Sequence, residues 1–149
     1  MSLVPRFGAY AAAFEKAYAS DDWSVVAPFF TEDAVYEVGL GPPLGGRFEG
    51  RDAVLAYFKA ALDGFDRRFA TRSVHLLEGP EERDGAVWIR GRAVYTAAGL
   101  PDLGFALEEI ATFEGDRIRH LEDRYPASER EAIERYMAAH GDRLGLGMG

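Results

Sequence analysis

The sequence predicts an α+β domain in which N-terminal helices pack into the concave face of a curved, mainly antiparallel sheet and enclose a pocket. Three observations predict it. Up to Phe65 the apolar residues follow helical spacing around a single hairpin; beyond it they change to period two over four consecutive runs; and the turns between those runs are short enough for antiparallel hairpins. At 149 residues and 48% apolar content, the chain has the size of one domain with its own core.

Taken in order, Tyr10, Phe14 and Tyr18, with Ala13 and Ala17 beside them, form one stripe and predict a first helix over 10–18. The Leu3-Val4-Pro5-Arg6 string before it is also a protease-recognition sequence and is given no functional weight. Ser20, Asp21 and Asp22 offer capping oxygens for a brief second helix from Trp23, which Pro28 stops near Phe30. Asp33–Val38 reads as a strand, residues 39–46 as a Gly/Pro loop at the pocket mouth, and Arg47–Glu49 as a short returning strand. A third helix starts at Asp52 with Val54, Phe58, Ala61 and Phe65 on one face. The period-two runs are Phe69–Glu78, Ala86–Thr96, Phe105–Glu114 and Arg117–Tyr125. Ser128 and Glu131 have the spacing of a capping box for a terminal helix that Gly141 ends. The expected organisation is a domain over 7–126, a C-terminal helix over 127–141 and a disordered tail over 142–149.

Composition excludes several classes of chemistry. With no cysteine there is no thiolate nucleophile, disulfide or thiolate metal site. A formal charge of −8, with no basic run longer than Arg67-Arg68, opposes nucleic-acid binding. No long apolar stretch predicts membrane insertion or export, so cytoplasmic localisation is expected. His75, His120 and His140 stand on separate elements without ligand spacing, and no metal or other cofactor is expected.

The informative residues are two acids. Alternation puts Glu109 on the face of Phe105, Leu107, Ala111 and Phe113, which points at the helices. An unpaired carboxylate there finds a donor or keeps its proton, and the second outcome makes a general acid/base. Asp123 falls with Arg119, Leu121 and Tyr125, the more apolar set of its strand, and is read as inward beside Glu109. The alternatives are a bulge that reverses the register of Glu109, a Glu109 that only pairs with an arginine or tyrosine to fix the core, and an Asp123 neutralised by Arg119 or Arg124. Tyr10, Phe14, Tyr36, Phe58 and Tyr95 are expected to wall the cavity, with Tyr36 or Tyr95 polarising a carbonyl. On the outer face, Arg90 and Arg92 are expected opposite Glu108, Thr112 and Glu114, around Trp88, Val94 and Ile110. That mixed surface suggests a homodimer, the alternative being a solvated sheet face with scattered apolar residues.

The run Asp22-Trp23 through Pro28-Phe29-Phe30 to Asp33-Ala34-Val35-Tyr36, then Phe48-Glu49-Gly50 with Ala53-Val54, then Phe113 to Gly115 and Ile118, resembles the nuclear transport factor 2-like superfamily. The likeness is to its SnoaL-like, polyketide cyclase-like branch and spans about 9–126. It implies a cone-shaped domain, usually dimeric, with acid/base residues at its pocket. Against ketosteroid isomerases, Phe14 stands at the oxyanion-binding tyrosine and Val38 at the proton-shuttling aspartate, leaving Glu109 at the second acidic position. Leu107 stands where limonene epoxide hydrolases carry an arginine. Asp123 lies where SnoaL-like cyclases place an acid/base aspartate. The site residues are therefore Asp123 and Glu109 as catalytic groups, with Tyr10, Phe14, Tyr36, Val38, Phe58, Tyr95 and Leu107 around the substrate. The expected function is cofactor-independent acid/base catalysis (cyclase-like, isomerase or lyase) on a small apolar carbonyl compound. The alternative is a noncatalytic dimer that binds a small ligand or a protein.

Overall fold

Apolar side chains recurring at Leu3, Phe7, Tyr10 and Ala17 give helix α1, Leu3–Ser20, a buried stripe that begins a full turn and more before the predicted Tyr10. The computed structural model describes residues 2–145. Leu3 is a core residue rather than part of a loose leader, and its backbone N–H donates to Glu82 Oε1 at 2.8 Å. The predicted second helix is instead two 3-10 turns, Trp23–Val25 and Ala27–Phe29. Asp22 caps the first through Ser24 N–H, and Pro28 in the second withholds the N–H that an α-helix needs.

The remaining elements are β1 (Phe30–Val38), β2 (Gly46–Glu49), α2 (Arg51–Gly64), β3 (Thr71–Arg83), β4 (Ala86–Thr96), β5 (Leu103–Glu114), β6 (Arg117–Arg124) and α3 (Ala127–His140). One curved, unclosed six-stranded sheet runs in the order β2-β1-β6-β5-β4-β3, antiparallel except for the β1–β6 pair. Strand β3 continues past the predicted Glu78 through Pro80, which an edge strand tolerates because its missing N–H removes no ladder bond on the outer side. The Ser128 and Glu131 pair forms no capping box: α3 starts at Ala127, and the N–H groups of Glu129 and Arg130 donate to the Pro126 carbonyl.

Two apolar clusters fill the concave side. Helices α1 and α2 pack Phe7, Tyr10, Val54 and Phe58 against β1, β5 and β6. Helix α3 packs Ile133, Tyr136 and Met137 against Tyr95, Leu103 and Phe105 at the other end. The expected disordered tail is ordered at its start: Gly141–Leu144 is a 3-10 turn that buries Leu144 in the second cluster, and 146–149 lie outside the described residues. On the outer face Arg90 stands opposite Glu108 as predicted, although its guanidinium pairs with Glu78 at 2.7 Å while the Glu108 carboxylate accepts from the Trp88 indole N–H at 2.7 Å; Arg92 stands opposite Ala106 instead.

Because the first turn of α1 is part of the core, Phe7→Ala is expected to lower the unfolding free energy by about 3 kcal/mol in urea titrations. A change within about 0.5 kcal/mol, the range of an ordinary surface substitution, would contradict the packing of that turn.

Candidate active site

Strand β6 points Asp123 into the cone because its alternation is reset by a bulge. The register with β5 shifts between Ile118 and His120, so Ile118, Leu121 and Asp123 all face inward. Arg119, predicted on the inner side, is exposed. The backbone of Asp123 is fixed from the other side by Gly39, whose N–H donates to the Asp123 carbonyl at 2.9 Å. A Cβ on Gly39 would meet that same oxygen at 2.9 Å, so only glycine allows the loop to approach this closely.

On β5 Glu109 is the direct cross-strand partner of Asp123. Glu109 is half-buried and lines the cavity. Asp123 is only 6% exposed. Its Oδ2 accepts a short hydrogen bond from the Tyr36 hydroxyl. Its Oδ1 is buried without a donor among the described residues, unless Glu109 carries a proton and supplies it. The proximity of Asp123 raises the proton affinity of Glu109, while Glu109 draws that of Asp123 down.

Burial pushes Glu109 well above its ordinary value of 4.5, and the Asp123 charge and their mutual hydrogen bond push it in the same direction. Burial raises Asp123 too, but hydrogen bonds from Glu109 and Tyr36 draw it back. The two carboxyls therefore titrate as a coupled pair in which Glu109 is pushed up the further. Among the described residues no lysine, arginine or histidine forms a salt bridge with either acid. Arg124, a predicted neutraliser, pairs with Glu122 at 3.0 Å.

The cavity above this pair has a volume of about 950 Å³. Tyr10, Phe14, Tyr36, Phe58, Tyr95 and Leu107 line it with the two acids, as does Tyr125, which shares the inward alternation of Asp123. Val38 does not line it: the side chain is buried in the first cluster, with its backbone alongside Asp123. Neither predicted polarising tyrosine has a free proton. Tyr36 donates to Asp123, and Tyr95 donates to Asp66 Oδ1 at 2.6 Å. The Tyr10 and Tyr125 hydroxyls, both on the cavity wall, have no acceptor among the described residues, and burial raises the pKa of each.

Three groups on the wall escaped the sequence reading. Asp66 sits in the 3-10 turn Asp66–Arg68 where no periodicity applies, and Glu15 and Arg72 lie on α1 and β3. Among the described residues no three metal-ligating side chains converge. His75 is exposed, and His120 Nε2 lies 2.7 Å from Glu37 Oε2. No described helix is long and apolar enough to cross a membrane.

The SnoaL-like domain family matches residues 10–121. No curated protein matches the sequence. Among solved structures, Bal32a from a soil-derived mobile gene cassette is similar at TM-score 0.69 and 18% identity, over 91% of this chain and 98% of that one. TerC, co-crystallised with polyporic acid, is similar at TM-score 0.67 and 12% identity, over 90% and 98%. An epoxide hydrolase from M. tuberculosis, resembling the limonene enzymes, is similar at TM-score 0.60 and 16% identity, over 90% and 93%. At these identities the likeness is one of fold.

The raised Glu109 pKa makes stability depend on pH with a definite sign. The folded state binds the proton more tightly than the unfolded one, so this contribution is full below pH 4.5 and is lost as pH rises through the folded value. Thermal melts of wild type are expected to fall from pH 5 upward, and Glu109→Gln, neutral throughout, to fall less steeply. Equal slopes for the two proteins would contradict a protonated Glu109.

Proposed function

The chain belongs to the SnoaL-like domain family, and from that premise we propose that it is a cofactor-independent enzyme that moves a proton on a small apolar carbonyl compound held in the cavity. The observation that carries this reading is the placement of Glu109 directly across from Asp123 in an aromatic-walled cavity, with no salt bridge to either acid among the described residues. A pair of carboxyls whose proton affinities are driven apart supplies a base and an acid at once.

In the proposed step, the Asp123 carboxylate accepts a proton from the carbon next to the carbonyl. The electrons of that C–H bond move into the new C=C bond, and the carbonyl oxygen takes a proton from Glu109 to give the enol. Tyr36 keeps its hydrogen bond to Asp123 and orients it. The free hydroxyl of Tyr10 or Tyr125 donates to the same developing oxygen. The enol is then reprotonated at another position, or attacks a second carbonyl, or expels a β-leaving group. Isomerisation, aldol cyclisation and elimination therefore share this first step. The cavity walls exclude water and hold an apolar body. That a relative of the same fold was co-crystallised with polyporic acid supports a small molecule as the occupant.

The test does not require the physiological substrate. Wild type is expected to catalyse deuterium exchange next to the carbonyl in a panel of apolar ketones that includes 4-phenylcyclohexanone, read by proton NMR. Glu109→Gln and Asp123→Asn are each expected to slow it by about 10²-fold or more, the size of a general acid or base contribution. Ketone binding without exchange in wild type would instead mark a noncatalytic ligand-binding protein.

A further inference from the structure

The cavity has a second polar end that the proposed proton transfer does not use. It is formed by Asp66, by Arg72 of β3 and its cross-strand partner Tyr95, and by Glu15 and Tyr18 of α1, all of which line the cavity. Tyr95 donates to Asp66 Oδ1 at 2.6 Å, and Arg72 Nη1 donates to Glu15 at 3.0 and 3.2 Å. The Arg72 guanidinium lies 4.4 Å over the Tyr18 ring, and the side chain is 17% exposed. Two functions are left over among the described residues: Asp66 Oδ2 has no donor, and Arg72 Nε and Nη2 have no acceptor.

That remainder discriminates between ligand groups. A hydroxyl both donates and accepts, so it satisfies Asp66 and Arg72 together. A carboxylate only accepts and meets two acids against one arginine. An ammonium only donates, so it satisfies Asp66 but leaves the free Arg72 N–H groups without an acceptor. The end is also remote from the acid pair. Glu109 stands opposite Ile89 on β4, and Tyr95 is six residues further along the strand, about 20 Å of extended backbone. Between them the wall is Gly91, Ala93, Phe105 and Leu107, which offer no hydrogen-bonding side chain.

We propose that Asp66 and Arg72 form a hydroxyl-recognition subsite, so that the cavity selects an elongated, uncharged hydroxy-ketone with its carbonyl at Glu109 and Asp123 and its hydroxyl at the opposite end. The proposal rests on the preceding reading for the position of the carbonyl. Tyr95 is a positioning residue that holds Asp66, while Asp66 and Arg72 touch the ligand.

Calorimetry with three matched ketones long enough to reach both ends tests this: 4-(biphenyl-4-yl)cyclohexanone, its 4′-hydroxy analogue and its 4′-carboxy analogue. Wild type is expected to bind the hydroxy compound about tenfold more tightly than either of the others. Asp66→Ala and Arg72→Met are each expected to abolish that preference, and Tyr95→Phe, which removes the donor that positions Asp66, to reduce it without abolishing it. The ratio is read within one protein sample, so a partly destabilised Asp66→Ala still reports, and Arg72→Met gives an independent reading. Equal affinities, tighter binding of the carboxylate, no binding of any of the three, or a preference that survives both substitutions would overturn the proposal. Failure here and failure of the catalytic reading are distinguishable. A hydroxyl preference without deuterium exchange contradicts only the catalysis, and exchange without the preference contradicts only the subsite.

Discussion

Two carboxyl groups set side by side in an apolar cavity, with no salt bridge to either among the described residues, are the constraint on which the rest of this structure depends. Two carboxylates in that position cannot both be charged, and each buried charge costs several kcal/mol. Glu109 is the acid pushed up the further, while Tyr36 holds Asp123 through Oδ2 and helps draw it back. Three strands must be in register for this to work. Asp123 on β6 lies beside Val38 on β1 and opposite Glu109 on β5, and Tyr36, two residues before Val38, reaches the same acid. A register slip of one residue on any of these strands would turn its member of the trio to the outer face.

The fold supports this pair by surrounding it with surfaces that cannot compete for the proton. Helices α1 and α2 lay Tyr10, Phe14 and Phe58 over the concave face, and the glycine-rich loop after β1 brings Leu40 and Leu44 to the rim. Tyr57 donates to the Leu44 carbonyl at 2.6 Å and so ties that loop to α2. Low polarity near the acids raises the energy of either charged form and sharpens the difference between them. Farther along the cone, Asp66, Tyr95 and Arg72 restore polarity. The cavity therefore has two distinct polar ends joined by an apolar wall.

The sheet and the inward face of β5 were legible in the sequence, because strict alternation from Phe105 to Phe113 leaves Glu109 no other side. The facing of Asp123 was legible from Leu121 and Tyr125, but Arg119 was misplaced, since a bulge leaves no mark in a period-two pattern. The same limit hid the hydroxyl networks. Tyr36 and Tyr95 read as equivalent cavity tyrosines, yet each donates its proton to an acid on another element that chain spacing does not reveal. Asp66 was missed for a related reason, because a residue in a one-turn connection between a helix and a strand has no face to read. At the N-terminus, Leu3 was discounted on its string identity, although with Phe7 and Tyr10 it continues the apolar stripe of α1.

The central claim is that Glu109 is the acid of the coupled pair that is pushed up the further. It is tested most directly by carbon-13 NMR titration of the side-chain carboxyls in glutamate- and aspartate-labelled protein, with Glu109→Gln and Asp123→Asn used for assignment. The account predicts that the Glu109 carboxyl titrates well above 4.5 and above Asp123, and that removing the Asp123 charge lowers it. A Glu109 midpoint at or below 4.5, independent of Asp123, would contradict it.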